Sequence, residues 1–83
     1  MTKRVGWTDR AKADLRAIDQ ATALRILQSV SRYIESGTGD VKRIQAVESP
    51  ELRLRVGDYR VRFRDRGDTI VVTAVQHRRE VYR

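Results

Sequence analysis

The sequence predicts an α+β fold, in which an antiparallel helical hairpin packs on a largely antiparallel four-stranded sheet in the order β-α-α-β-β-β. Three patterns predict it. Apolar residues recur at helical spacing between residues 8 and 36, apolar residues and arginines alternate from residue 52 to residue 64, and a β-branched run follows at 69–76. With 83 residues, the chain is expected to form one domain, residues 1–83, with a modest core.

A short strand is expected at residues 3–7, and a helix follows it. Thr8 is the expected N-cap of this helix, and its apolar stripe is Ala11, Leu15 and Ile18. These residues predict a short amphipathic helix.

A second helix is expected between a cap at Asp19 and a stop at Gly37. Its apolar stripe is formed by Leu24, Leu27, Val30 and Ile34, widened by Ile26 and Tyr33. Because the link between the two helices is tight, we expect them to lie antiparallel.

Residues 37–50 are interpreted as a connection rather than a strand. Val41, Ile44 and Val47 are expected to pack against the core, and Pro50 ends the segment.

Residues 52–64 predict a β-hairpin whose strands meet at Gly57 and Asp58. Glycine first in a two-residue loop suits a type II′ turn, and Val56 should then lie opposite Tyr59. In this register one side of the hairpin is apolar. The other side, called the arginine face below, consists of Arg53, Arg55, Arg60, Arg62 and Arg64, with Arg55 opposite Arg60 and Arg53 opposite Arg62.

Residues 69–76 are apolar on both faces and predict a strand inside the sheet. Residues 77–83 follow it and carry His77, Arg78 and Tyr82. Loops beyond the ends of strands often carry functional side chains, so we expect part of a site here.

The chain is strongly basic, with a net charge of +7, a pI near 10.8 and 15 arginines among its 18 basic residues. Like charges directly opposite each other destabilise a sheet, so the arginine face favours an anionic partner, nucleic acid first. The alternative is a merely solvated face. Without cysteine the chain has no disulfide or thiolate site, and without a signal or spanning segment it is expected to be cytosolic.

The chemistry that these residues permit is limited. His77 is the only histidine and is more often structural than catalytic, while Tyr82 is either a packing aromatic or a stacking platform for a base. No metal site or other cofactor site is indicated. For RNA cleavage by the 2′-hydroxyl, arginines would neutralise the phosphate but would serve poorly in proton transfer.

Three segments resemble the RelE/ParE superfamily of type II toxins. They are Trp-Thr-Asp-Arg-Ala-Lys-Ala-Asp-Leu-Arg (7–16), Leu-Arg-Leu-Arg-Val-Gly-Asp-Tyr-Arg-Val-Arg-Phe (52–63) and His-Arg-Arg-Glu-Val-Tyr-Arg (77–83). The RelE branch consists of ribosome-dependent endoribonucleases that cut mRNA, and the ParE branch poisons DNA gyrase. The resemblance implies a mRNA endoribonuclease, with a gyrase inhibitor as the alternative; a simple nucleic-acid-binding module is a third reading.

The resemblance also implies roles for single residues. Arg60 is similar to the family's phosphate-stabilising arginine, Arg78 to the arginine assigned to leaving-group protonation, and Tyr82 to the tyrosine that stacks on a base. Arg53 and Arg55 stand where some RelE enzymes have lysines, which puts a base role for Arg55 in doubt. His77 becomes a candidate acid or base. The arginine face itself predicts that Arg53, Arg55, Arg60 and Arg62 bind phosphate.

Family resemblance implies partners as well. A cognate antitoxin is expected to wrap the toxin with an amphipathic, acidic segment in the groove between helices and sheet. The other partners would be the ribosome and mRNA, without a membrane or small-molecule cofactor.

Overall fold

The computed structural model describes residues 4–44 and 51–81 and confirms the α+β class. Its elements are β1 (Arg4–Trp7), α1 (Asp9–Arg16), α2 (Gln20–Ser36), β2 (Asp40–Ile44), β3 (Glu51–Val56), β4 (Tyr59–Asp65), β5 (Thr69–His77) and α3 (Arg78–Val81). The strands form one sheet in the order β1-β5-β4-β3-β2, in which β1 is parallel to β5 and the other pairs are antiparallel.

Both predicted helix starts are confirmed by their caps. The Thr8 hydroxyl accepts a hydrogen bond from the Ala11 amide at 3.2 Å, and the Asp19 carboxylate accepts one from the Thr22 amide at 3.0 Å. The second helix ends at Gly37, whose φ of 72° is the left-handed conformation that glycine adopts most easily.

The buried stripe of α2 differs from the predicted one. Ile26 and Val30 are buried and Tyr33 packs against the same core, whereas Leu24 and Leu27 are 54% and 40% exposed. The prediction that Leu24 and Leu27 belong to the core stripe is therefore wrong. The helix is rotated so that the i, i+4, i+7 series from Ile26 faces the sheet.

The predicted connection contains a strand, which makes the sheet five-stranded within the described residues rather than four-stranded. β2 pairs antiparallel with β3, with Val41 opposite Leu54. Just before β2, a Cβ on Gly39 would lie 2.8 Å from the Leu54 side chain, so the backbone at Gly39 packs directly against this core residue. Val47 and Pro50 lie outside the described residues.

The hairpin register is confirmed in full. Val56 lies opposite Tyr59, Arg55 opposite Arg60 and Arg53 opposite Arg62. The apolar side packs under the helices, and its most deeply buried members are Leu54, Val61 and Phe63.

A β-bulge divides β5 into two halves. Ala74 pairs with Arg62 while Val72 pairs with Phe63, so Thr73 is an extra residue in the ladder. The bulge reverses which residues face the helices: Ile70 and Val72 do so before it, and Val75 and His77 after it. Gln76 consequently lies opposite Arg60 on the arginine face.

In the parts of the chain that the structure describes, no helix is long and apolar enough to cross a membrane.

Candidate active site

The tip of the β3–β4 hairpin is the centre of the site. Gly57, the first loop residue, has a φ of 57°, the positive value that a tight two-residue hairpin turn requires at this position. Asp58 is the second loop residue. The turn therefore holds a carboxylate side chain at the end of two arginine-bearing strands.

Arg55 and Arg60 flank the turn as directly opposed residues on the arginine face. Arg60 is on the middle strand of the sheet and is only 9% exposed, whereas Arg55 is exposed. The Arg55 Nε–H donates to the Gly57 carbonyl at 3.4 Å, which draws its guanidinium toward the turn. The strand pairing thus fixes the backbone positions from which both arginines extend.

Arg78 reaches the same place from the end of β5. Its backbone N–H donates to the Asp58 carbonyl at 2.8 Å, and its Nη1 lies 3.7 Å from Asp58 Oδ1. The segment after β5 was expected to be a loop, but it begins with the single helical turn α3. This turn places the Arg78 side chain beside the hairpin loop.

These residues surround a cleft of about 240 Å³, called the hairpin cleft below. It is lined by Arg55, Gly57, Asp58, Arg60 and Arg78. Three of the arginines predicted to carry the chemistry are therefore brought together, although two come from the hairpin and one from the far end of β5. Among the described residues that line the cleft, three carry a positive charge and Asp58 carries a negative one, so the cleft suits an anion.

Arg53 and Arg62 lie farther along the arginine face. Arg62 Nε lies 2.9 Å from the Oε1 of Glu51, a carboxylate that is only 6% exposed. Arg62 Nε is buried without a hydrogen-bond partner among the described residues, so this contact is an ion pair rather than an aligned hydrogen bond. The Thr73 hydroxyl donates to the same carboxylate at 3.4 Å. Arg62 is therefore partly neutralised, and its role as a phosphate ligand stays a prediction.

His77 lies on the other side of the sheet from the arginine face. Its ring stacks edge-on against Tyr59 with centroids 5.1 Å apart, and its Nδ1 accepts a hydrogen bond from the Arg79 amide at 3.2 Å. The bulge in β5 is the reason, because it turns the side chain of His77 toward the helices. His77 does not line the hairpin cleft. Tyr82 lies outside the described residues.

Two features of the site were not predicted. Asp58 was interpreted only as a turn residue, yet it lines the cleft. Arg25 on α2 brings its Nη2 to within 3.9 Å of where a Cβ of Gly57 would lie, which adds a cation beside the hairpin tip. The sequence does indicate the position of Asp58, because a residue in the loop between two arginine-bearing strands must lie close to their arginines. Helix periodicity gave no such signal for Arg25.

The guanidinium groups that line the hairpin cleft are of the type that donates paired hydrogen bonds to phosphate oxygens. In the described part of the chain, His, Asp and Glu side chains do not cluster in threes as a metal site would require.

Comparison with known proteins gives one family match. A family model described as the ParE toxin of the type II toxin-antitoxin system parDE matches residues 5–82. A comparison with curated proteins finds no significant match.

Several solved structures share the fold. The RelB–RelE antitoxin–toxin complex from Methanococcus jannaschii is 24% identical over 93% of this chain and 94% of the other, with a TM-score of 0.75. RelBE2 from Mycobacterium tuberculosis is 20% identical over 93% and 99%, with a TM-score of 0.78. The chromosomal ParDE system from P. aeruginosa is 21% identical over 92% and 96%, with a TM-score of 0.66. At these identities the similarity establishes the fold, and it extends to both RelE and ParE structures.

Proposed function

We propose that this chain, which belongs to the ParE toxin family within the RelE/ParE superfamily of type II toxins, acts as a ribosome-dependent endoribonuclease that cuts mRNA and arrests translation. The proposal treats residues 1–83 as one toxin domain. The convergence of Arg55, Arg60 and Arg78 around the hairpin cleft is the observation that carries it.

The reaction calls for such a cluster. When a ribose 2′-hydroxyl attacks the neighbouring phosphorus, negative charge builds up on the phosphate oxygens in the transition state. Fixed cations aimed at that charge stabilise the transition state more than the ground state. Three guanidinium groups around one cleft meet this requirement directly.

The cleft is also arranged before substrate binds. Arg60 is 9% exposed on the middle strand, and Arg55 is held opposite it by the hairpin register. Strand placement keeps the geometry precise, because strands position side chains more rigidly than loops do.

The proposed partners follow from the same family. The M. jannaschii structure is a RelB–RelE antitoxin–toxin complex, and we infer a cognate antitoxin for this chain too. Leu24 and Leu27 on α2 are exposed and offer apolar contacts to an amphipathic peptide, while the net charge of +7 favours an acidic one. The target would be mRNA on the ribosome in the cytoplasm, reached without a cofactor.

A second function is favoured by the proton-transfer problem. The described residues that line the cleft include no lysine or histidine, and a guanidinium scarcely gives up a proton. A ParE-like, non-enzymatic inhibitor of DNA gyrase would need no proton transfer, and the matching family model carries the ParE description.

The test is to induce the toxin alone in cells and map the 5′ ends of transcripts. The proposal expects new ends in phase with codons, and it expects them to disappear with Arg60→Ala. Intact mRNA together with a DNA damage response would instead favour gyrase inhibition. New ends without codon phase would contradict action on the ribosome.

A further inference from the structure

We propose that Asp58 accepts the proton of the attacking 2′-hydroxyl during mRNA cleavage. This inference rests on the proposed nuclease function and supplies what the arginines lack. Cleavage requires a group that takes the 2′-hydroxyl proton as the oxygen attacks phosphorus.

Within the described part of the cleft, the chemistry of the side chains singles out Asp58. The guanidinium groups of Arg55, Arg60 and Arg78 offer hydrogen-bond donors but no acceptor, and Gly57 has no side chain. The carboxylate of Asp58 has up to four acceptor positions. His77 is turned toward Tyr59, and its Nδ1 is engaged by the Arg79 amide.

The geometry leaves the Asp58 carboxylate available to a substrate. Its side chain is 64% exposed, so a ribose can approach it. The 3.7 Å separation between Arg78 Nη1 and Asp58 Oδ1 is an ion pair rather than a close hydrogen bond, so acceptor positions remain. At the same time, the 2.8 Å backbone hydrogen bond from Arg78 to the Asp58 carbonyl fixes the loop beside the phosphate-binding cations.

The step balances without a further reactant. The 2′-hydroxyl proton passes to the Asp58 carboxylate while the 2′-oxygen forms a bond to the adjacent phosphorus. The bond from phosphorus to the 5′-oxygen breaks, and that oxygen takes a proton from water. The products are a 2′,3′-cyclic phosphate and a 5′-hydroxyl end, and Asp58 returns its proton to water.

The experiment measures single-turnover cleavage of mRNA on programmed ribosomes by the full chain. Asp58→Asn keeps the shape of the side chain and removes its basicity, while Asp58→Glu keeps the basicity. Asp68→Asn is the matched control. Asp68 is an exposed carboxylate in the β4–β5 loop, and this substitution makes the same change of charge. Binding to the same ribosomes is measured separately.

We expect Asp58→Asn to bind the programmed ribosomes at least as well as the unmodified chain does. Its cleavage rate should fall by about 100-fold or more. Asp58→Glu, which keeps a carboxylate, should recover most of the rate. With a bridging 5′-phosphorothiolate substrate, whose leaving group needs no protonation, Asp58→Asn should stay slow.

Two results would overturn the inference. The first is cleavage by Asp58→Asn within about threefold of the unmodified chain. The second is recovery of its rate with the phosphorothiolate substrate, which would make Asp58 an acid rather than a base. Failure of the proposed function looks different: the unmodified chain itself would leave ribosome-bound mRNA intact, and the inference would fall with it.

Discussion

Asp58 and Arg78 meet twice at the tip of the hairpin: the Arg78 amide donates to the Asp58 carbonyl at 2.8 Å, and the two side chains approach to 3.7 Å. Twenty residues separate them in the chain, and the antiparallel pairing of β4 with β5 brings them together. The hairpin and the end of β5 therefore form one site, and a change in either half alters the cleft.

Arg60→Ala should reduce cleavage by about 100- to 1,000-fold, because it removes a fixed donor from the phosphate. Rates of mRNA cleavage on programmed ribosomes provide the measurement. Arg64→Ala is the matched control, since Arg64 lies on the same strand and the same face but does not line the cleft. Equal losses from the two variants would mean that only overall charge matters.

Glu51→Gln should destabilise the fold by about 1–3 kcal/mol, because it leaves the buried Arg62 Nε without its counter-charge and weakens the contact from Thr73. Urea unfolding gives the change in the free energy of unfolding. Asp68→Asn makes the same chemical change at an exposed position and should have little effect. A Glu51→Gln variant as stable as the unmodified chain would contradict the importance of this ion pair.

Gly57→Ala should cost about 1–2 kcal/mol, because an L-residue is strained at a φ of 57°. The added methyl group would meet only the flexible Arg25 Nη2, at 3.9 Å, so the expected loss is backbone strain rather than a clash. Gly6→Ala serves as the control in the same unfolding measurement, since a Cβ there meets nothing within 4 Å. If both substitutions were neutral, the turn would not need its glycine.

The stability contributed by the Asp19 cap should depend on pH. Hydrogen bonds from the Thr22 hydroxyl and amide lower the pKa of Asp19 below 3.8. The folded state therefore holds this proton less tightly than the unfolded state, so the contribution is complete above the unfolded pKa and is lost as the pH falls through the folded pKa. Urea unfolding of the unmodified chain and of Asp19→Asn between pH 6 and pH 3 should show the difference shrinking on acidification. If the difference in unfolding free energy between the two chains did not change with pH, the ionised Asp19 cap would not be its source.

The helix caps and the hairpin register could be predicted because each depends on local chemistry. An alternation of period two with a two-residue loop permits only one register that keeps the apolar side together, and the structure has that register. The apposition of Arg55 and Arg60 followed directly from it.

β2 could not be predicted from its own residues. Asp40–Ile44 follows two glycines and alternates too briefly to indicate a strand. It forms because β3 offers an open edge and because Val41 lies opposite the buried Leu54. This is a tertiary effect that local propensity does not contain.

The bulge at Thr73 also explains why the face on which His77 lies could not be predicted from the sequence. A run that is apolar on both faces gives no period from which an extra residue can be detected. Without the bulge, His77 would share the arginine face; with it, the ring packs on Tyr59. The bulge therefore keeps the histidine out of the hairpin cleft.

The proposed nuclease function is tested most directly with the purified chain in two parallel reactions. They are cleavage of mRNA on programmed ribosomes and DNA supercoiling by gyrase, each repeated with Arg60→Ala. We expect codon-phased cleavage of the ribosome-bound mRNA, its loss with Arg60→Ala, and unchanged supercoiling. Inhibition of gyrase with mRNA left intact would contradict the proposed function.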